Sequence, residues 1–294
     1  MSVVSLWRKS FRRVPALAVP LKRVADRLIV PMLAQARGFG TPEFDPLWSR
    51  WEMLMRNYEP KTVDATRRLV TPGMLVLDIG EHVGYYSVLL SALVGRGGVV
   101  HAFEPNLHNY ALLVENTRAL QNVRPHAVAL GDKDEIGTLH DAYAESGGSS
   151  LFTDPAGVTA SHARARVARL RNAGVRALRC HIQIVTGDRY LESRGVTRVD
   201  FIKMDIEGAE PKAIKGLTDT LSRSRHLQLV TEFCPAMLRA SGESPVAFLE
   251  LLSSLFDKII VIERRKVFEQ SKYAMLVNTM NSGRRKANLL CLRK

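Results

Sequence analysis

The sequence predicts an α/β protein with a mostly parallel β-sheet covered by helices on both faces. Three observations lead there. From Met74 onward, short apolar runs of strand length alternate with segments of helical spacing. The connections between them are short, as parallel strands joined by crossover helices require. Glycines and acids stand where the apolar runs end, which is where such sheets bind ligands.

Met74 to Ile79 is the first expected strand, with Asp78 near its end, and Gly80 to Gly84 is a turn. Tyr85 to Val94 reads as a helix ended by Gly95 to Gly98, and Val99 to Phe103 as the second strand. Asn106 to Leu120 has helical spacing, and Val123 to Leu130 reads as one third strand. Gly131 to Gly187 is less regular and ends in a strand around Ala177 to Val185. Val199 to Met204 is a buried strand, Pro211 to Leu221 a single helix with proline near its start, and Leu227 to Phe233 a strand. Ser244 to Leu255 (helix), Lys258 to Ile262 (strand) and Ala287 to Leu292 (strand) complete the pattern. Upstream, residues 46 to 70 read as helices capping this domain, and residues 1 to 45 as a basic N-terminal arm. The expected organisation is therefore an arm over 1–45 and one domain over 46–294, with a basic insertion near 150–180.

Charge is unevenly spread. The first forty residues hold Arg8, Lys9, Arg12, Arg13, Lys22, Arg23, Arg27 and Arg37 against Asp26 alone, and Arg164 to Arg179 carries six arginines and no acid. Such clusters suit an anionic surface. Residues 1–40 also carry Leu6, Trp7, Phe11, Leu28, Ile29 and Leu33, so the expected partner of the arm is an anionic membrane touched peripherally. Neither cluster interleaves with aromatics the way a single-strand nucleic-acid platform does, and no specific nucleic-acid partner is expected. No apolar run approaches the ~18 residues of a membrane span. Three cysteines, none at metal-ligand spacing, fit a reduced, cytoplasmic setting.

Four constellations carry chemistry. Asp78-Ile79-Gly80-Glu81-His82-Val83-Gly84 joins a strand to a helix, where glycine lets backbone approach a ligand and the helix start favours negative groups. Glu104 follows Gly84 by 104 − 84 = 20 positions at the end of the next strand, the place of an acid that binds a nucleotide ribose. Asp205, Glu207 and Glu210 follow a buried strand around Gly208, where substrate sits in such folds, and Glu232 ends the neighbouring strand. Asp205 and Glu207 are the candidate catalytic carboxylates, with a histidine as a further candidate base. Asp205 and Glu232 are alternatively a pair able to hold magnesium. Helix capping is the purely structural role open to the same acids.

Taken together, Asp78-x-Gly80-x3-Gly84, Phe103-Glu104-Pro105, Ile202-Lys203-Met204-Asp205-Ile206-Glu207-Gly208-Ala209-Glu210 and Glu232-Phe233 resemble the FkbM methyltransferases. The resemblance takes in Tyr58-Glu59-Pro60 and Ala287-Asn288-Leu289-Leu290, and spans roughly residues 56 to 293 without the basic insertion. It implies a Rossmann-like class I fold with a seven-stranded sheet and a terminal antiparallel strand. It also implies S-adenosylmethionine as cofactor and O-methylation of a hydroxyl on a sugar or small natural-product-type acceptor. By the same resemblance Asp78, Gly80 and Gly84 match the cofactor loop, Glu104 the ribose acid, and Asp132 falls near an adenine contact. One departure stands out: where the family loop reads Gly-Ala-Asn, this chain reads Gly80-Glu81-His82. A carboxylate beside the cofactor's own would repel it unless it points away or pairs with the amino group. Two other classes stay open at this point, an NAD-dependent oxidoreductase and a non-catalytic binding protein with a degenerate loop.

Overall fold

The structure, a computed structural model, describes residues 28–43, 45–140, 151, 179–264, 266–280 and 285–293. Most of the expected arm and the basic insertion, 152–178, lie outside the described residues. Among the described residues three helices precede the sheet: α1 (Val30–Arg37), α2 (Leu47–Leu54) and α3 (Pro60–Leu69). Pro31 does not interrupt α1; it sits in its first turn, where the missing N–H costs nothing.

The domain then runs β1 (Leu75–Ile79), α4 (Tyr85–Val94), β2 (Val99–Phe103), α5 (Leu107–Thr117), β3 (Val123–His126), β4 (Ala129–Gly131), β5 (Glu135–His140) and β6 (Arg179–Thr186). It continues with α6 (Gly187–Glu192), β7 (Phe201–Met204), α7 (Glu210–Lys215), α8 (Thr218–Arg223) and β8 (Gln228–Phe233). The last elements are α9 (Pro235–Ala240), α10 (Pro245–Leu255), β9 (Lys258–Val261), β10 (Lys266–Val267), α11 (Tyr273–Thr279) and β11 (Ala287–Leu292).

The main sheet has the order β10-β9-β11-β8-β7-β1-β2-β3. Without the two-residue edge strand β10, it is the seven-stranded sheet expected. β11 lies antiparallel between β8 and β9, while β3, β2, β1, β7 and β8 pair in parallel. Strand order reverses between β1 and β7, so their carboxyl ends flank the crevice in which such folds bind ligands. Both sheet faces are covered, which explains the nearly unbroken apolar strands. Leu77, Ile79, Ile202 and Met204 pack into one core, and Val76, Val100, Phe201 and Val230 into the other.

Two expected elements divide, both for reasons of distant packing. The third strand ends at His126, and β4 joins a separate sheet of order β4-β6-β5, pairing in parallel with β6. The helix expected from Pro211 to Leu221 is α7 and α8, separated at Gly216. A Cβ on Gly216 would lie 1.8 Å from the carbonyl oxygen of Gly131, so this turn is pressed against the end of β4.

Two histidines join β2 to β3. His101 Nδ1 lies 2.9 Å from His126 Nε2, and His126 Nδ1 lies 3.2 Å from the Tyr190 hydroxyl. The rings stack with centroids 5.2 Å apart. Burial, then nearby positive charge, lowers both pKa values to about 4. The unfolded chain therefore binds these protons first, from pH 6.5 downward, and their contribution to stability is complete above that value and lost as pH falls toward 4. The melting temperature is expected to fall between pH 7 and 4, and to fall less steeply in His101→Gln/His126→Gln; parallel curves would show that the acid sensitivity arises elsewhere.

Candidate active site

The glycine turn is clamped between the ends of two strands. The amides of Gly80 and Glu81 both donate to the Phe103 carbonyl, at 3.0 and 3.1 Å, and the Asp205 amide donates to Ile79 at 3.0 Å. Gly80 has φ 79°, and a Cβ there would stand 2.0 Å from the Asp205 carbonyl oxygen. No other residue fits, because the turn needs both a left-handed backbone and contact with the chain leaving β7. His82 is also left-handed, at φ 63°, a conformation histidine tolerates better than most side chains.

Glu104 ends β2 and is buried. Its carboxylate accepts from the His82 amide at 2.9 Å and the Asn106 amide at 2.8 Å, and so ties the turn to the start of α5. Gly80, His82 and Glu104 line a cleft with Phe103, Pro105, Asn109, Val128, Leu130, Asp205 and Glu207. One wall is apolar, and the Glu104 carboxylate stands beside the glycine turn. These residues fit a nucleoside cofactor.

The other cofactor-binding residues expected from sequence, Asp78 and Gly84 of the loop and Asp132 near an adenine contact, do not line the cleft. Asp78 is fully buried and does not line the cleft; it accepts the Ser87 hydroxyl at 3.0 Å beneath the turn. Gly84, at φ 100°, is the residue before α4 and also lies behind the cleft. Asp132 is exposed beyond β4 and is not among the lining residues.

Glu81 turns inward. It is 4 % exposed, accepts the Ser87 amide at 2.8 Å near the start of α4, and hydrogen-bonds to Asp78. Burial first, then the adjoining carboxyl, raises its pKa well above the ordinary glutamate value, and burial raises that of Asp78. Glu81 thus points into the fold beside Asp78 and is not among the residues lining the cleft. Glu81→Ala is accordingly expected to leave S-adenosylmethionine affinity within about threefold while lowering stability by about 1 kcal/mol through loss of the helix-end contact. Titration calorimetry and thermal melts check both, and an affinity change beyond tenfold would place the side chain in the binding site after all.

Lys203, unassigned in the sequence reading, faces that pair across the β1–β7 register, in which Asp78 and Lys203 are direct partners. It is 4 % exposed, lies 3.2 Å from Asp205 and stands over the Tyr86 ring. Burial opposes its charge, but Asp205, Glu59, Asp78 and Glu81 outweigh burial and hold its pKa above the ordinary lysine value. Burial likewise opposes ionisation of Asp205, but Lys203 and Lys286 keep its pKa low.

Glu207 sits on a left-handed turn at φ 51°, followed by Gly208 at φ 100°. Glu210 holds that turn from the start of α7, accepting from the Ile206 amide at 3.0 Å and the Gly208 amide at 2.9 Å. Its role is structural, and burial raises its pKa to about 7. Glu232 ends β8, 2 % exposed, with Lys286 Nζ 2.5 Å from its Oε1. Sequence alone also missed Asn116. Its side chain donates to Val83 at 2.6 Å and to Gly40 at 2.9 Å, joining the segment after α1 to the glycine turn.

The cleft thus lies where the strand order of the parallel sheet reverses, beside the glycine turn and the Glu104 carboxylate. The model of the methyltransferase FkbM domain matches residues 78–269, and the chain belongs to that family. Over 145 residues the chain is 27 % identical to the hexuronic acid methyltransferase AglP of Haloferax volcanii, covering 49 % of this chain and 50 % of AglP. Over 191 residues it is 26 % identical to the AMB antimetabolite synthetase AmbE of Pseudomonas aeruginosa, covering 55 % of this chain and 8 % of AmbE. The chain thus spans half the length of one relative and a small part of the other. A solved methyltransferase from Aquifex aeolicus shares 16 % identity at a TM-score of 0.39, over 90 % of this chain and 98 % of that one.

Proposed function

We propose that the protein methylates a hydroxyl oxygen of a sugar or small natural-product-type acceptor. The observation that carries this reading is the group of carboxylates, Asp205, Glu207 and Glu232, at the ends of two neighbouring strands beside the cofactor cleft. Such groups orient a hydroxyl nucleophile and favour loss of its proton. The similarity to AglP, a hexuronic acid methyltransferase, supports a carbohydrate acceptor.

S-adenosylmethionine supplies an electrophilic methyl group on a sulfonium. Gly80 and Glu104 are the residues proposed to hold it. Asp78 and Gly84 support the turn from behind, and Asp132, exposed beyond β4, would reach the cofactor only if the loop after β4 folds inward. Asp205 and Glu207 are the proposed catalytic carboxylates. They hold the acceptor oxygen in line with the methyl carbon, and that positioning supplies much of the rate gain.

The test is transfer from methyl-labelled S-adenosylmethionine to a panel of uronic acids, neutral sugars and phenols, with the product located by NMR. An O-methyl product is expected; methylation of nitrogen or carbon alone would overturn the assignment. We also propose the basic residues 1–40, within an arm ending near residue 45, as a peripheral contact with an anionic membrane. Exposed Leu28, Ile29 and Met32 support it, and no described helix is long and apolar enough to cross a membrane. Co-sedimentation with anionic liposomes at low salt, for the full chain against a chain beginning at Thr41, checks this contact; equal supernatant fractions would exclude it.

A further inference from the structure

The geometry points to a divalent-cation site formed by Asp205, Glu207 and Glu232, which binds magnesium or manganese and presents it to the acceptor. This rests on the O-methylation reading and deepens it. Each of the three residues offers a carboxylate oxygen, and these oxygens lie within 4.8 Å of one another. Around an ion with metal–oxygen bonds of 2.0–2.1 Å, ligand atoms stand roughly 3 Å apart in cis and 4 Å in trans, so a small inward adjustment closes the set.

An independent observation points to a missing ligand. Glu232 is 2 % exposed, and its Oε2 has no hydrogen-bond partner among the described residues. Lys286 pairs with Oε1. A buried carboxylate oxygen left in this state is costly, and a cation satisfies it.

Charge also favours an added cation. Lys203 and Lys286 are the ammonium groups that interact with this cluster. Against them stand Asp205, Glu207, Glu232 and Glu59, so acidic side chains outnumber these two ammonium groups.

Oxygen-only ligands suit magnesium and manganese, which keep several positions for water or substrate. With three positions taken by protein, the open ones admit two oxygens of the acceptor. The acceptor class is therefore a chelating one: a vicinal diol, or a hydroxyl beside a carboxylate. Binding through the ion lowers the pKa of the reacting hydroxyl, whose proton passes to water, and leaves its oxygen facing the methyl group.

The test is titration of the cofactor-free full chain with manganese, followed by the electron paramagnetic resonance of free ion. One ion per chain is expected, displaced by excess magnesium. Glu232→Gln and Glu207→Gln are each expected to weaken manganese binding at least tenfold. Glu207 is only half-buried, so its variant keeps the fold, as circular dichroism would verify. No bound ion at millimolar manganese, or unchanged binding in folded Glu207→Gln, overturns the site. Full activity in a chelator with no manganese binding would sink the site and leave the O-methylation reading standing. Absence of any O-methyl product, with or without metal, would sink that reading, while the manganese titration still decides the site.

Discussion

Gly80→Ala is expected to abolish S-adenosylmethionine binding and to destabilise the fold by roughly 2–6 kcal/mol. Two effects add. A non-glycine residue held at φ 79° costs about 1–3 kcal/mol. The new methyl would also lie 2.0 Å from the Asp205 carbonyl and 2.7 Å from an Ile206 methyl, and overpacking of that kind costs a further 1–3 kcal/mol. Backbone cannot yield as a side chain can, so the turn must lift away from β7, taking with it the cleft wall that Gly80 and Asp205 share. Gly84→Ala is the informative control. Its φ is 100°, but the added carbon would meet only side chains, at 3.4 Å and beyond. Conformational strain alone remains, of about 1–3 kcal/mol, and cofactor affinity should largely survive. Chemical denaturation and calorimetry on both variants check this order; equal losses would mean that the contact with Asp205 is unimportant.

The second large effect lies in catalysis. Asp205→Asn and Glu207→Gln are each expected to lower kcat by about 10²–10⁴, the usual contribution of groups that manage a proton in the transition state. Cofactor affinity should change far less, since neither carboxylate stands at the ribose position. Glu210→Gln separates this from mere disturbance of the turn. It keeps an acceptor for one of the two amides held by Glu210, so a smaller loss of kcat is expected together with a lower melting temperature. Single-turnover rates and cofactor dissociation constants decide the matter. A kcat within tenfold of wild type in Glu207→Gln would remove that residue from the chemistry.

The strands and helices that place the site were legible because their signals are local. Tyr85 to Val94, Val99 to Phe103 and Ala287 to Leu292 fall where apolar runs and flanking glycines put them. What remained hidden depends on contacts far apart in the chain. The divided helix at Gly216 reflects the end of β4, some 85 residues earlier, and the divided third strand reflects pairing with β6. The site shows the same limit. Two buried strands each carry one charged residue, Asp78 and Lys203, a visible oddity in apolar runs. Only the register makes them partners. Glu81 could be recognised as a departure from the family loop, but not as turned inward, because its direction depends on the Ser87 amide and the buried Asp78 carboxyl. Lys286 precedes the last strand and gave no motif; it meets Glu232 because β11 folds back antiparallel beside β8.

The measurement that tests the central claim most directly is calorimetric titration of this chain with S-adenosylmethionine, for wild type and Glu104→Ala. Micromolar or tighter binding is expected for the wild type, on the order of −8 kcal/mol. The variant should bind more weakly by about 1–3 kcal/mol, the cost of removing hydrogen bonds to a charged group. Absence of heat and of any thermal shift at millimolar ligand, with the protein folded, would contradict the assignment of the cleft as a cofactor site.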